Sequence, residues 1–139
     1  MVDEGRVVRL LRGISERTTR LRRAFDSDPN DRGDLWLDGI KYLLVTTIES
    51  CVDVAQHLVS SENFGAPDSN AAALRELGSR GVIDATLAGD LALAVGFRNV
   101  LVHQYAQVDD AVVLAASARL DQFDHFVSQL SGWLAAQPD

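Results

Sequence analysis

Apolar residues at Val7, Leu11, Ile14, Thr18, Leu21 and Phe25 recur at spacings of four and three, the stripe of an amphipathic helix that runs to about Phe25. The turn-forming run DSDPNDRGD breaks it, and Asp34 is placed to cap the next helix. From Leu35 to about Ser60 the only breaker is Gly39, and a broad apolar face from Leu37 and Ile40 to Leu58 and Val59 predicts a long, largely buried helix. Glu49 and Asp53 stand one turn apart on its polar side, with Thr46, Ser50 and Gln56. SENFGAPDSN reads as a loop, after which Asp68 or Ser69 opens a short helix over Ala71 to Leu77 that ends near Gly78 and Gly81. Asp84 caps a fourth helix with the stripe Leu87, Leu91, Val95. Asp109 or Asp110 starts a last helix in which Val113, Leu120, Phe123, Val127, Leu130 and Leu134 recur at helical spacing, and the tail AAQPD frays.

No segment shows the alternation of strands, and VLVHQY, the one candidate, is short and isolated. The pattern predicts an all-α chain, an antiparallel bundle of four or five helices, three of them long. At 139 residues it fits a single domain, 1–139, that buries roughly two-thirds of its unfolded surface. The single cysteine, Cys51, excludes an internal disulfide and reads as a small core residue. Neither a signal peptide nor a bilayer-length apolar run is read in the chain, so a soluble, cytoplasmic protein with no membrane partner is expected.

Charge changes this picture. The net charge of −7 argues against a simple electrostatic grip on nucleic acid. Residues 1–23, however, hold seven arginines against Asp3, Glu4 and Glu16, so the first helix (1–25) is a basic arm on an acidic body. Such an arm suits a phosphate-bearing ligand or an acidic partner, and equally a solvated helix face.

The densest chemistry lies in FRNVLVHQYAQVD, residues 97–109. Arg98 and His103 are five residues apart, so on an unbroken helix they point about 140° from one another. Either the helix ends between them, or each meets the other's counterpart across a two-fold axis. His103 can take and give a proton near neutral pH, and Arg98 offers a fork of donors for a phosphate or phosphorane. Together they suffice for metal-free RNA cleavage: the ribose 2′-OH attacks, His103 acts as general acid or base, and Arg98 stabilises charge on phosphorus. Asn99 can orient the histidine or bind phosphate, and Tyr105 can stack on a base or donate a hydrogen bond. The same four residues at a helix end can also serve only as caps and hydrogen-bonding groups.

The run RNVLVHQY, residues 98–105, resembles the R-x4-H-x-Y signature of HEPN-domain proteins, specifically the HepT branch of two-gene toxin–antitoxin systems. The likeness extends from about Leu35 to Leu134: a long helix with an acidic side, a loop with Pro67, a short helix ending in GVID, the motif, and a closing amphipathic helix. The resemblance implies a homodimer whose two motifs (97–105 in each copy) face one cleft. It implies a cofactor-free, metal-independent ribonuclease with Arg98 and His103 as catalytic pair, and a cognate minimal nucleotidyltransferase antitoxin that transfers AMP to Tyr105. AMP on that phenol places negative charge and bulk where an RNA phosphate would sit. Transfer RNA is the target in some relatives; nothing in the residues selects it.

Other readings stand beside this one. Glu49, Asp53 and His57 form an E-x3-D-x3-H column with metal-ligand chemistry, although His57 at a helix end equally caps or solvates. Within the resemblance, Glu49 or Asp53 pairs with Arg98, either tuning the site or holding the arginine structurally. His125 reads as a surface or partly buried histidine, and Trp36 and Trp133 as core or dimer contacts. From a different class comes a non-catalytic helical module that binds a nucleotide or docks a nucleotidyltransferase.

Overall fold

The structure, a computed structural model, describes residues 1–138; Asp139, the end of the tail expected to fray, lies outside the described residues. Among these there are six α-helices and no strand: α1 Glu4–Phe25, α2 Trp36–Ser61, α3 Asn70–Ser79, α4 Ala85–His103, α5 Asp110–Ala115 and α6 Asp121–Ala135. The all-α expectation holds, and VLVHQY is helical as far as His103.

Local chemistry accounts for most helix ends. The carboxylates of Asp3 and Asp84 and the hydroxyl of Ser69 each accept a backbone N–H from the first turn of α1, α4 and α3 respectively. At the ends of α2 and α3, Asn63 (φ 55°) and Gly81 (φ 74°) take the left-handed conformation, and Phe64 and Val82 donate back to Val59 and Leu77 at 3.0 and 2.9 Å. Asp34 does not cap α2. The helix opens at Trp36 without a side-chain cap, and the Trp36 N–H donates to Gly33 O at 3.2 Å. A tertiary contact sets that start: Arg32 lies 4.1 Å over the Trp36 ring and donates to Phe25 O, while Phe25 meets the same ring edge-on.

α1 packs on α2 and α6, α2 also meets α3 and α4, and α3 lies closely against α4. The stripe from Val7 to Leu21 is buried on α1. Its arginines divide. Arg17 turns inward to Thr47 Oγ1, Thr46 O and Ser50 Oγ, which buries Ser50, a residue read from the sequence as polar surface. Arg22 pairs with Asp121 and Asp124 on α6. Arg6, Arg9, Arg12, Arg20 and Arg23 are exposed. His57 accepts the Asp3 N–H at 2.9 Å and so ties the start of α1 to the end of α2.

Two further expectations are corrected. The last helix is divided into α5 and α6 by a tighter 3-10 turn, Ala116–Arg119, where the run AASA offers almost nothing to bury and packing does not hold the α ladder. A bilayer-length apolar run does exist: α4, 19 residues, is long and apolar enough to cross a membrane by length and composition. Its inner side, including Leu87, Leu91 and Val95, is buried against neighbouring helices, as in a core helix.

Gly78 is the point of closest approach between α3 and α4, because a Cβ built there would stand 2.6 Å from the Ala88 Cβ. Gly78→Ala therefore sets a steric cost of about 1–3 kcal/mol against a propensity gain of at most about 1 kcal/mol. We expect a net loss of about 1 kcal/mol in urea denaturation; a gain in stability would show that the helices separate freely.

Candidate active site

α4 stays regular through His103, which removes the option that the helix ends between Arg98 and His103. Gln104 closes it, its N–H donating to Val100 O at 2.9 Å, and a 3-10 turn, Tyr105–Gln107, comes next. With Leu101 buried, the other residues of the last turns lie at the surface. Going round the helix, Arg98 is followed by Val102, Asn99 and His103, and then by Gly96, Val100 and Leu93. Arg98 and His103 thus flank one exposed strip, with Asn99 and Val102 between them.

Arg98 is held from below. Its Nε and Nη2 donate to Glu49 Oε1 at 3.2 and 2.6 Å, and Nη1 donates to Asn99 Oδ1 at 3.0 Å. These bonds use three of the five guanidinium N–H donors and leave two for an incoming anion. Asp53, one turn beyond Glu49, is exposed and does not pair with Arg98. It lines, with Glu49, Gln56, Asn70 and Arg98, a groove of about 310 Å³ beside the guanidinium. His103 is exposed on the opposite flank of the strip. The Glu49, Asp53, His57 column does not converge, and no cluster of three metal-ligating side chains occurs among the described residues.

Tyr105 folds back onto the start of α2. Its phenol donates to Asp38 Oδ1, and Lys41 Nζ lies 4.5 Å from the ring centroid. Tyr105 is 46 % exposed. The hydrogen bond to Asp38, with smaller contributions from burial and the carboxylate charge, raises the phenol pKa above its ordinary value. Asp38 and Lys41 are partners that sequence reasoning missed. Their i, i+3 spacing at a helix start and the uniqueness of Lys41 as the chain's lysine were the available signals.

The remaining candidates are structural. Cys51 is fully buried, and burial pushes its thiol pKa strongly upward, as befits an inert core residue. Trp133 is partly buried against the core, Trp36 packs as described with its indole N–H buried and unpartnered, and His125 is exposed.

An all-α bundle whose fourth helix carries the Arg and His of R-x4-H-x-Y, with the Tyr in the turn just beyond it and the acidic side of the second helix beside it, defines a protein of the HEPN class. The chain belongs to the Ribonuclease HepT-like family, whose profile matches residues 8–130. It is 27 % identical over 110 residues to the mRNA nuclease HepT of Shewanella oneidensis, covering 78 % of this chain and 83 % of that protein. With the tRNA nuclease HepT of Aphanizomenon flos-aquae it shares 32 % over 93 residues, 66 % of this chain and 63 % of the other. The fold matches the tri-AMPylated Shewanella oneidensis HEPN toxin, solved in complex with MNT antitoxin, with a TM-score of 0.83 at 22 % identity, covering 95 % of this chain and 99 % of that one.

The raised phenol pKa has a signed consequence. The neutral phenol is the form that Asp38 favours, so whatever stability this contact adds is fully present below the ordinary phenol range and is lost as pH rises through the raised value. Ultraviolet titration in a Tyr42→Phe background should show Tyr105 ionising at lower pH once Asp38→Asn is introduced. An unchanged titration would mean the contact is not made in solution.

Proposed function

We propose that this chain is the ribonuclease toxin of a toxin–antitoxin pair, cutting RNA without a metal ion in a cleft shared by two copies. Arg98 binds and neutralises the scissile phosphate with its two uncommitted donors. His103 moves the proton between the 2′-OH, the leaving 5′-oxygen and water. Asn99, between them, bonds Arg98 and offers its amide to phosphate, and Glu49 fixes the guanidinium. Asp53 lies at the groove's edge, where its charge keeps phosphate toward Arg98.

The observation that carries this reading is the open face of α4 beside His103. Leu93 is 70 % and Val100 43 % exposed, while Gly89 and Gly96 on the same side have open space where a Cβ would stand. A helix apolar on all sides belongs in an interior, and here one side is uncovered. Next to it an apolar cleft of about 260 Å³, lined by Leu44, Leu93, Phe97, Val112 and Phe123 among others, extends the surface. A second copy seated there covers the face and brings its own motif beside His103. Similarity to the two HepT nucleases supports the activity, and similarity to the antitoxin-bound, tri-AMPylated Shewanella toxin supports a nucleotidyltransferase partner that adds AMP to Tyr105. The cytoplasm is the compartment that suits an RNA substrate and an ATP-using partner.

His103→Ala and Arg98→Ala should each lower RNA cleavage at least about a hundredfold with the fold intact, and EDTA should not inhibit. Cleavage that survives in His103→Ala excludes the mechanism. No cleavage by the wild-type chain favours a non-catalytic module. Leu93→Arg should convert a dimer to a monomer in sedimentation and reduce cleavage with it. For Glu49→Gln we expect a loss of about tenfold in activity but less than about 1 kcal/mol in stability, since the half-exposed pair is screened by solvent. An activity loss no larger than the stability change explains would assign Glu49 a structural role.

A further inference from the structure

We propose that Asp38 is the general base for adenylylation of Tyr105, with Lys41 as the cation that balances charge developing on the phenol oxygen and the attacked phosphate. The inference rests on Tyr105 being the residue that accepts AMP.

Asp38 and Lys41 lie three residues apart at the start of α2 and therefore share a face. Tyr105 lies against that face: its O–H is aimed at Asp38 Oδ1 and its ring lies under Lys41 Nζ. Lys41 is unusual in two ways. It is the chain's single lysine, and it is only 7 % exposed, with no carboxylate within ion-pair distance among the described residues. Its stem is covered, and the face of an aromatic ring is all that stands against its charge, so an anion arriving at the phenol is favoured. Tyr105 itself is open to solvent on its other side, as an acceptor of a bulky group must be.

The step balances with a nucleoside triphosphate as co-reactant. Tyr105 Oη attacks the α-phosphorus, forming the new P–O bond. The bond from that phosphorus to the bridging oxygen breaks, and pyrophosphate leaves with the electron pair. The phenolic proton passes along the existing hydrogen bond to Asp38, and from there to water. At rest the same bond keeps the phenol neutral, so the nucleophile is generated only as the proton moves. A carboxylate aimed at an attacking hydroxyl is the arrangement by which kinases accept the proton of their substrates.

The test uses the whole chain, MgATP and an MNT-type nucleotidyltransferase, with AMP addition followed by intact mass and Tyr105→Phe as the blank. The charged groups set against the phenol are Asp38 and Lys41. At neutral pH, Asp38→Asn should slow the first addition about a hundredfold and Asp38→Glu should retain most of the rate. The Asn variant should recover as pH is raised to about 9, where hydroxide begins to supply phenolate, while the wild-type rate stays nearly flat. Lys41→Met should slow addition about tenfold, and Lys41→Arg should restore it. An Asp38→Asn chain that is modified at the wild-type rate, or one that is slow but shows no alkaline recovery, overturns the assignment of Asp38 while modification of Tyr105 stands. A wild-type chain that gains no AMP at Tyr105 removes the reading beneath it.

Discussion

Burial of α4's inner stripe, Leu87, Leu91, Val95 and Leu101, fixes the rotation of that helix, and the rotation decides where every polar group of the motif points. Each of these side chains contributes roughly 1.5–3 kcal/mol by leaving water, far more than any exposed polar contact around them. With the stripe turned inward, Arg98 falls toward α2 and onto Glu49, and His103, about 140° away, falls toward solvent. Tyr105, beyond the helix end, comes back to the α2 side and reaches Asp38. The polar groups follow the apolar ones.

The arginines show how the same residue type is spent differently by position. Three of those nearest the core, Arg17, Arg22 and Arg32, each satisfy acceptors on a neighbouring segment: the α2 hydroxyls, the α6 carboxylates, and the carbonyls that close the α1–α2 turn. Their long apolar stems cover core surface while their planar heads find several acceptors at once. The basic character of residues 1–23 therefore divides into a structural share, Arg17 and Arg22, and an exposed share on the outer face of α1.

Much of the fold was legible because periodicity and caps agreed. α1 has a strict stripe, the inner positions Leu87, Leu91 and Val95 of α4 recur at helical spacing, Ser69 and Asp84 cap their helices, and Gly81 closes α3. What was not legible depended on partners distant in sequence. The start of α2 is set by Trp36 packing beneath Arg32 rather than by the capping residue beside it, and the alanine-rich run between α5 and α6 carries too little pattern to show where the ladder tightens. The same holds at the motif. Glu49 was within reach of inference, since an acidic column on a long helix invites an arginine. Asp38 was not read as the partner of Tyr105, because its spacing to Lys41 marks a helix face without naming what meets it: 67 residues intervene, and only the turn after α4 brings the two together.

The segment from Gln104 to Asp109 joins two helices, and the Tyr105 phenol is the point at which it is moored to α2. That mooring depends on one hydrogen atom. A tyrosine whose oxygen is esterified has nothing left to donate, so any chemistry at this oxygen also removes that hydrogen bond and loosens the strap beyond α4. Covalent marking and local loosening of the connector are then one event, and the carboxylate of Asp38, left facing a phosphodiester of its own sign, would resist the strap's return.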